Sequence, residues 1–156
     1  MEYPRYKKIL FCTDFSENSD HAFWFAYGIA KRDEGTLYLL HVIPENPHQP
    51  FVKSYTTEET YVKIEKGIEE DVYQKFREHY EKHIEPDIKF KTTTESARTD
   101  DGILSFAKKE AVDIIVIGTH GRTGIEHVFF GSVAEKVIQN SPFPVFVIPC
   151  KKKMET

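Results

Sequence analysis

The segment Thr36-Leu37-Tyr38-Leu39-Leu40-His41-Val42-Ile43 is apolar at nearly every position, and Ile114-Ile115-Val116-Ile117 is apolar at all four. A strand wetted on one face alternates apolar and polar residues, so unbroken runs mark strands covered on both faces, as in parallel sheets. Parallel neighbours need a crossover connection, usually a helix. The intervening segments supply them. Ala22, Phe25, Ala26, Ile29 and Ala30 form an i, i+3, i+4, i+7, i+8 stripe, with Phe23, Trp24 and Tyr27 broadening it. Ile64, Ile68, Val72, Phe76 and Tyr80 recur every fourth residue. Ile103, Leu104 and Ala107 mark a third helix, and Val133–Ile138 a fourth. Strands are expected at Lys7–Thr13, Thr36–Ile43, Ile88–Thr94, Asp113–Ile117 and Val145–Ile148. This order predicts an α/β fold, an open, mostly parallel five-stranded twisted sheet with helices on both faces.

Local signals set the boundaries. Asp14-Phe15-Ser16-Glu17-Asn18-Ser19 is turn and cap chemistry before the first helix, and Gly35 is expected to stop it. Pro44 to about Tyr55, with Pro47 and Pro50, reads as a loop. Thr56 with Glu59 reads as a capping box. Thr99 or Asp100 caps the third helix. Ile88–Thr94 alternates, which suits a wetter strand at an edge. The 156 residues are expected to form one domain, 1–156, with a core over about 6–150 and a short basic tail at Lys151-Lys152-Lys153. A net charge of −4 argues against nucleic acid as a partner. No run reaches the ~20 apolar residues of a membrane span, and the polar start Met1–Lys8 does not resemble a signal peptide. Cys12 and Cys150 show no metal spacing and are read as free thiols in a reducing, cytoplasmic compartment.

In open parallel sheets, ligands bind beyond the carboxyl ends of the strands. Asp14 follows the first strand and Gly118 the fourth, so these loops share one crevice if the two strands are neighbours. Gly118-Thr119-His120-Gly121 is followed, nine residues on, by Gly131-Ser132 at a helix start. Glycines permit close main-chain approach, successive N–H groups form an anion nest, and a helix N-terminus adds donors. A phosphate cradle is one reading. Turn glycines with an ordinary cap are the other, because Ser132 and Glu135 form a capping box without any ligand. Neither a P-loop nor a Gly-x-Gly-x-x-Gly fingerprint is present. His79 and His83 stand one helical turn apart, a spacing able to bind metal, yet they lie beside the apolar stripe and are read as ordinary helix residues.

The pattern Gly-x2-Gly-x9-Gly-[Ser/Thr] at Gly118, Gly121, Gly131 and Ser132 resembles the ATP-binding signature of the universal stress protein family. Ile9–Ser16, His41-Val42, Asp113–Arg122 and Ser141–Val145 are similar to the family in its order, over nearly the whole chain. The resemblance implies the Rossmann-like, adenine nucleotide alpha hydrolase-like form of the fold. It implies a nucleotide site built from Cys12, Thr13, Asp14 and Ser16 after the first strand and Val42 in the second. Ile117, Gly118, His120, Gly121 and Arg122 follow in the fourth strand and its loop, and Gly131, Ser132 and Val133 open the last helix. Asp14 would meet the ribose hydroxyls or the adenine amino group, and the Val42 main chain the adenine edge. His120 and Arg122 would supply charge-assisted bonds to phosphates. The implied ligand is ATP, ADP or AMP, with Mg²⁺ or Mn²⁺ carried on the phosphates. The implied role is a stress-response module, a homodimer through Pro144–Ile148 with the nucleotide as a conformational signal. No base for catalysis stands out unless His120 serves, so slow ATP hydrolysis is the most expected. Two features depart from the family pattern: Ala97-Arg98-Thr99 replaces Gly-x-Pro, and Cys12 replaces a small residue or proline. The alternatives are a nucleotide-independent interaction module and an adenylating enzyme. The latter tends to carry Ser-Gly-Gly-x-Asp-Ser where this chain has Thr13-Asp14-Phe15-Ser16.

Overall fold

A computed structural model describes residues 3–120 and 130–150; Gly121, Arg122 and the Lys151–Lys153 tail lie outside the described residues. The elements are β1 (Lys8–Cys12), α1 (Glu17–Asp33), β2 (Thr36–Pro44), α2 (Gln49–Tyr55), α3 (Glu58–His79), a 3-10 turn (Glu81–His83) and β3 (Phe90–Ala97). They continue with α4 (Thr99–Glu110), β4 (Ile114–Gly118), α5 (Ser132–Asn140) and β5 (Val145–Ile148). All strand pairs are parallel, in the order β3-β2-β1-β4-β5. The open five-stranded α/β sheet expected from the sequence is therefore present, with β3 at an edge and β1 beside β4. No helix among the described residues is long and apolar enough to cross a membrane.

The unbroken apolar runs follow from two cores. Ile9, Phe11, Leu37, Leu39, Ile114 and Val116 face α1 and α3. Leu10, Cys12, Leu40, Ile115 and Ile117 face the other side, with Ile103 and Phe106 of α4 and Val137 of α5. Period-2 alternation sends successive side chains to opposite faces, so a strand covered twice needs apolar residues throughout. Phe11 packs edge-on against Phe23 at 5.7 Å and Tyr80 at 5.2 Å.

Several boundaries differ from the sequence reading, each for a local reason. Alanines 22, 26 and 30 do face the sheet, but Phe23 and Tyr27 are buried while Phe25 and Trp24 are largely exposed. The helix is rotated so that Phe23 packs on Tyr80, at the end of α3, at 4.9 Å and on Tyr27 at 5.7 Å. The helix ends on Glu34, at φ 50°, rather than on Gly35. Gly35 is required for room: a Cβ there would meet Ile9 Cδ1 at 2.5 Å and the Tyr6 carbonyl oxygen at 2.7 Å. Part of the expected loop is helical, as α2, because Pro50 stands in its first turn, where a missing N–H costs nothing. The cap of α3 is Thr57, whose side chain accepts the Thr60 N–H, whereas Thr56 ends α2 and donates to the Val52 carbonyl. Arg98 occupies the cap position of α4, and Asp100 is buried and paired with Arg98 at 2.9 Å. The 22 residues of α3 span about 33 Å at the helical rise. The helix begins beyond the carboxyl ends of the strands and runs back over the sheet. Its Val72, Phe76 and the following Tyr80 are buried, while Ile64 and Ile68 overhang and stay exposed.

Two predictions follow from packing and charge. Gly35→Ala should cost about 1–3 kcal/mol, read as a lowered denaturation midpoint at unchanged slope. At the end of α1, the Asp33 carboxylate accepts two bonds from Arg32 and one from the Tyr6 N–H at 3.0 Å. The Arg32 bond first, then the Tyr6 bond, holds its pKa down at about 2. Because the folded value lies below the unfolded one, this stabilisation is present above about pH 4 and fades toward pH 2. The melting-temperature gap between wild type and Asp33→Asn should therefore be widest near neutrality and narrow below pH 4.

Candidate functional site

β1 ends at Cys12 and β4 at Gly118, side by side. Beyond them the chain departs to opposite faces, into α1 on one side and toward α5 on the other. This divergence opens a cavity of about 520 Å³ at the carboxyl end of the sheet, within the range of small-molecule sites. Cys12, Thr13 and Asp14 line it from β1, Val42 from β2, and Ile117, Gly118 and His120 from β4. Gly131, Ser132 and Val133 complete the wall. Of the sequence-nominated residues, Ser16 is not in the wall; its hydroxyl caps α1 by accepting the Ser19 N–H at 3.2 Å. Gly121 and Arg122 fall outside the described residues.

The two glycine stretches are clasped together. The Gly131 N–H donates to the Thr119 carbonyl at 2.5 Å, and a Cβ on Gly131 would come within 3.0 Å of that same oxygen. Gly131 is the cap residue of α5, without a side-chain cap bond. Ser132 is thus the first helical residue, and the Ser132–Glu135 capping box is not formed. The first N–H groups of the helix have no intrahelical acceptor, and they start at the cavity wall.

The turn after β1 is held from below. Phe15 adopts φ 61°, a left-handed conformation that is an outlier for a bulky residue. Its N–H donates to Thr13 Oγ1 at 2.8 Å, and its ring packs on Phe76 at 5.2 Å and on His41 at 4.9 Å. Burial pushes the Tyr80 phenol far above its ordinary range, so it stays protonated. Tyr80 Oη donates to Asp20 Oδ1 at 2.8 Å, and the Thr13 hydroxyl therefore donates to Tyr80 Oη at 2.5 Å. The same Asp20 carboxylate meets His79 Nδ1 at 3.0 Å, which gives His79 a structural place. The Thr13 carbonyl accepts from His41 Nδ1 at 2.8 Å. Asp14 Oδ1 accepts from the Ser19 hydroxyl at 2.6 Å and the Ser16 N–H at 3.1 Å, so the carboxylate is oriented at the start of α1. Cys12 is buried in the wall, and burial pushes its thiol up.

Main-chain polarity in β2 follows from its register. In a parallel ladder the N–H and C=O of one residue point to the same neighbour, alternating along the strand. Thr36 N–H donates to the Lys7 carbonyl and the Leu40 carbonyl accepts from Thr13 N–H, whereas Leu37 N–H donates toward β3 at Lys89. Val42 therefore turns its amide groups to the β1 side, past the last residue of β1, into the crevice.

Other wall residues were not legible in the sequence. Ile68, Asp71, Val72 and Lys75 come from the overhanging part of α3, and Lys75 Nζ lies 5.8 Å from the Phe15 ring centroid. Only the length of α3 relative to the strands hinted that a cation on it would reach the site. Thr119, between Gly118 and His120, also lines the wall.

An open parallel sheet with a cavity at the point where connections switch faces defines a doubly wound α/β protein. Residues 5–149 match the universal stress protein family. The chain is 34% identical over 148 residues to universal stress protein MJ0531 of Methanocaldococcus jannaschii, covering 95% of this chain and 85% of that protein. The solved structure of MJ0577, from the same organism, superposes with a TM-score of 0.75 at 30% identity, covering 96% of this chain and all (100%) of that one. A universal stress protein solved in complex with cAMP shares the fold, with a TM-score of 0.61 at 15% identity over 95% of this chain and 100% of its own. This chain belongs to the universal stress protein family.

Tyr80→Phe deletes the hydroxyl that joins Thr13 to Asp20 and leaves both short of a partner. The expected cost is about 1–3 kcal/mol, measured by denaturant unfolding; an unchanged midpoint would show that the relay does not hold the turn.

Proposed function

We propose that this chain binds an adenine nucleotide, ATP, ADP or AMP, in the crevice between β1 and β4, and acts as a nucleotide-dependent module. The observation that carries the reading is the clasp of Thr119 with Gly131. It brings the main chain at 118–120 and the start of α5, which has no side-chain cap bond, to one cavity, in an approach so close that a Cβ on Gly131 would come within 3.0 Å of the Thr119 carbonyl oxygen. Amides of that kind suit phosphate oxygens. Arg122, in the same signature, is assigned to the phosphates as well. At the other end, the Val42 main chain suits an adenine edge and the oriented Asp14 carboxylate suits ribose hydroxyls. Lys75 adds a cation on the α3 side. The cAMP complex of a fold neighbour supports an adenine nucleotide as a guest of this architecture.

A divalent ion, Mg²⁺ or Mn²⁺, would be carried by the phosphates and would supply charge neutralisation there. Phosphoryl transfer also needs a group to orient the nucleophile. His120 is the one candidate among the described wall residues near the glycine clasp, which supports slow hydrolysis at most. The proposed assembly is a homodimer through Pro144–Ile148. β5 is a sheet edge, and Phe146 on it is partly exposed and packs edge-on against Phe25 of α1 at 5.9 Å. An apolar edge of this kind is a template for pairing unless it is covered.

The test is thermal. ATP at a hundredfold excess over its Kd should stabilise the protein by about 2.7 kcal/mol, roughly 5–10 °C in melting temperature. Ser132→Asp puts a carboxylate at the first position of α5, where it favours the free helix and repels phosphate. This variant should melt no lower than wild type without ligand and lose the ATP-induced rise. Purified protein, denatured and assayed by mass spectrometry, should release ATP, ADP or AMP. An equal ATP response in both proteins, or none in wild type, would remove the proposal and favour the nucleotide-independent module.

A further inference from the structure

The chain's two cysteines have opposite settings. Cys12 is buried in the crevice wall, and burial pushes its thiol up, which disfavours the reactive thiolate. Cys150 is half-buried, two residues past the end of β5 and at the same carboxyl end of the sheet as the crevice. Its Sγ lies 3.3 Å from His120 Nδ1 and 3.7 Å from Thr119 Oγ1. Thr119 Oγ1 is itself 2.9 Å from the same imidazole nitrogen. A thiol within hydrogen-bond reach of an imidazole can pass its proton there, and the thiolate is the nucleophilic form. From α1, the uncharged Asn18 amide donates to the His120 carbonyl at 3.2 Å and steadies that residue. His120 is the titratable side chain that meets the sulfur from the end of β4.

We propose that Cys150 is a modification site, a thiol activated by His120 that exchanges with low-molecular-weight disulfides such as oxidised glutathione. The Cys150 S–H proton passes to His120 Nδ1, and the thiolate attacks one sulfur of the disulfide. A bond forms between Cys150 Sγ and that sulfur while the original S–S bond breaks. The departing thiolate then takes up the proton, so the products are the Cys150 mixed disulfide and one free thiol.

The adduct has a reach beyond its own position. Thr119, next to the sulfur, donates its N–H to the Ile148 carbonyl at 2.9 Å and accepts the Gly131 N–H on its own carbonyl. A tripeptide attached at Cys150 competes for the space of His120 and Thr119 and so loosens the clasp. This second step rests on the nucleotide reading above: modification and nucleotide should exclude each other.

The experiment incubates reduced, folded protein with oxidised glutathione near pH 7 and follows intact mass. Wild type should gain one glutathione, Cys150→Ser none, and His120→Gln should react slower by about tenfold or more. All three are first checked for matching circular dichroism and melting, so that unfolding does not expose Cys12. Excess ATP should slow the reaction of wild type. The adduct should abolish the ATP-induced melting rise, and a dithiol reductant should restore it, while Cys150→Ser keeps the rise in oxidised glutathione. An adduct on Cys12, or an unchanged rate in His120→Gln, overturns the activated thiol. If reduced wild type shows no ATP response, the nucleotide reading falls, and the glutathione rates still decide the thiol proposal. A normal ATP response in the fully modified protein overturns the coupling alone.

Discussion

The parallel pairing of β1 on both sides is the constraint on which the rest depends. Lys8–Cys12 is hydrogen-bonded to β2 along one edge and to β4 along the other, and both of its faces lie in core. A strand in that position has no polar face to offer water, so its register is set by packing on two sides at once. Because β2 and β4 flank it, the connections leaving β1 and β4 must pass to opposite faces. The crevice is the geometrical result.

Side chains then turn this opening into a specific shape. Phe15 in a left-handed conformation is unfavourable by itself, at about 1–3 kcal/mol for such strained residues. It persists because its ring is buried against Phe76 and Tyr80 and its N–H is taken by Thr13. The Thr13–Tyr80–Asp20 chain of donors carries that hold into α1 and the end of α3. On the other wall, Thr119 does comparable work through its amide, carbonyl and hydroxyl. The site is therefore supported by buried polar groups whose partners are all in place, the condition under which such groups rigidify a structure.

Much of the fold was legible because its signals are local and repeated. The unbroken runs in β2 and β4 report burial on both faces directly, whereas the four-residue spacing in α3 reports it only for Val72, Phe76 and Tyr80, since Ile64 and Ile68 overhang the sheet. Errors fell where two local signals compete. Ser132 and Glu135 have the spacing of a capping box, but the Thr119 clasp makes Gly131 the cap, shifting the helix start by one residue. Thr56 and Thr57 are both able caps, and the end of α2 takes the first. Phe25 fits the helical stripe as well as Phe23 does, but only Phe23 has Tyr80 waiting across the interface. The glycines of the crevice were found from their spacing, while Lys75 and Asp71 were not, since nothing near them in sequence marks a ligand wall.

Taken alone, the order of residues determined the layers, the parallel sense of the sheet, an edge position for β3 and the glycine clasp as a place of interest. Periodicity and turn chemistry act over a few residues, so they survive in a one-dimensional reading. Only the tertiary structure decided that β1 and β4 adjoin, that α3 overhangs far enough to wall the crevice, and that Cys150 meets His120 across 30 residues. Those are contacts between segments remote in the chain. They depend on strand order and helix rotation, which are settled by the packing of whole elements against one another rather than by any local pattern.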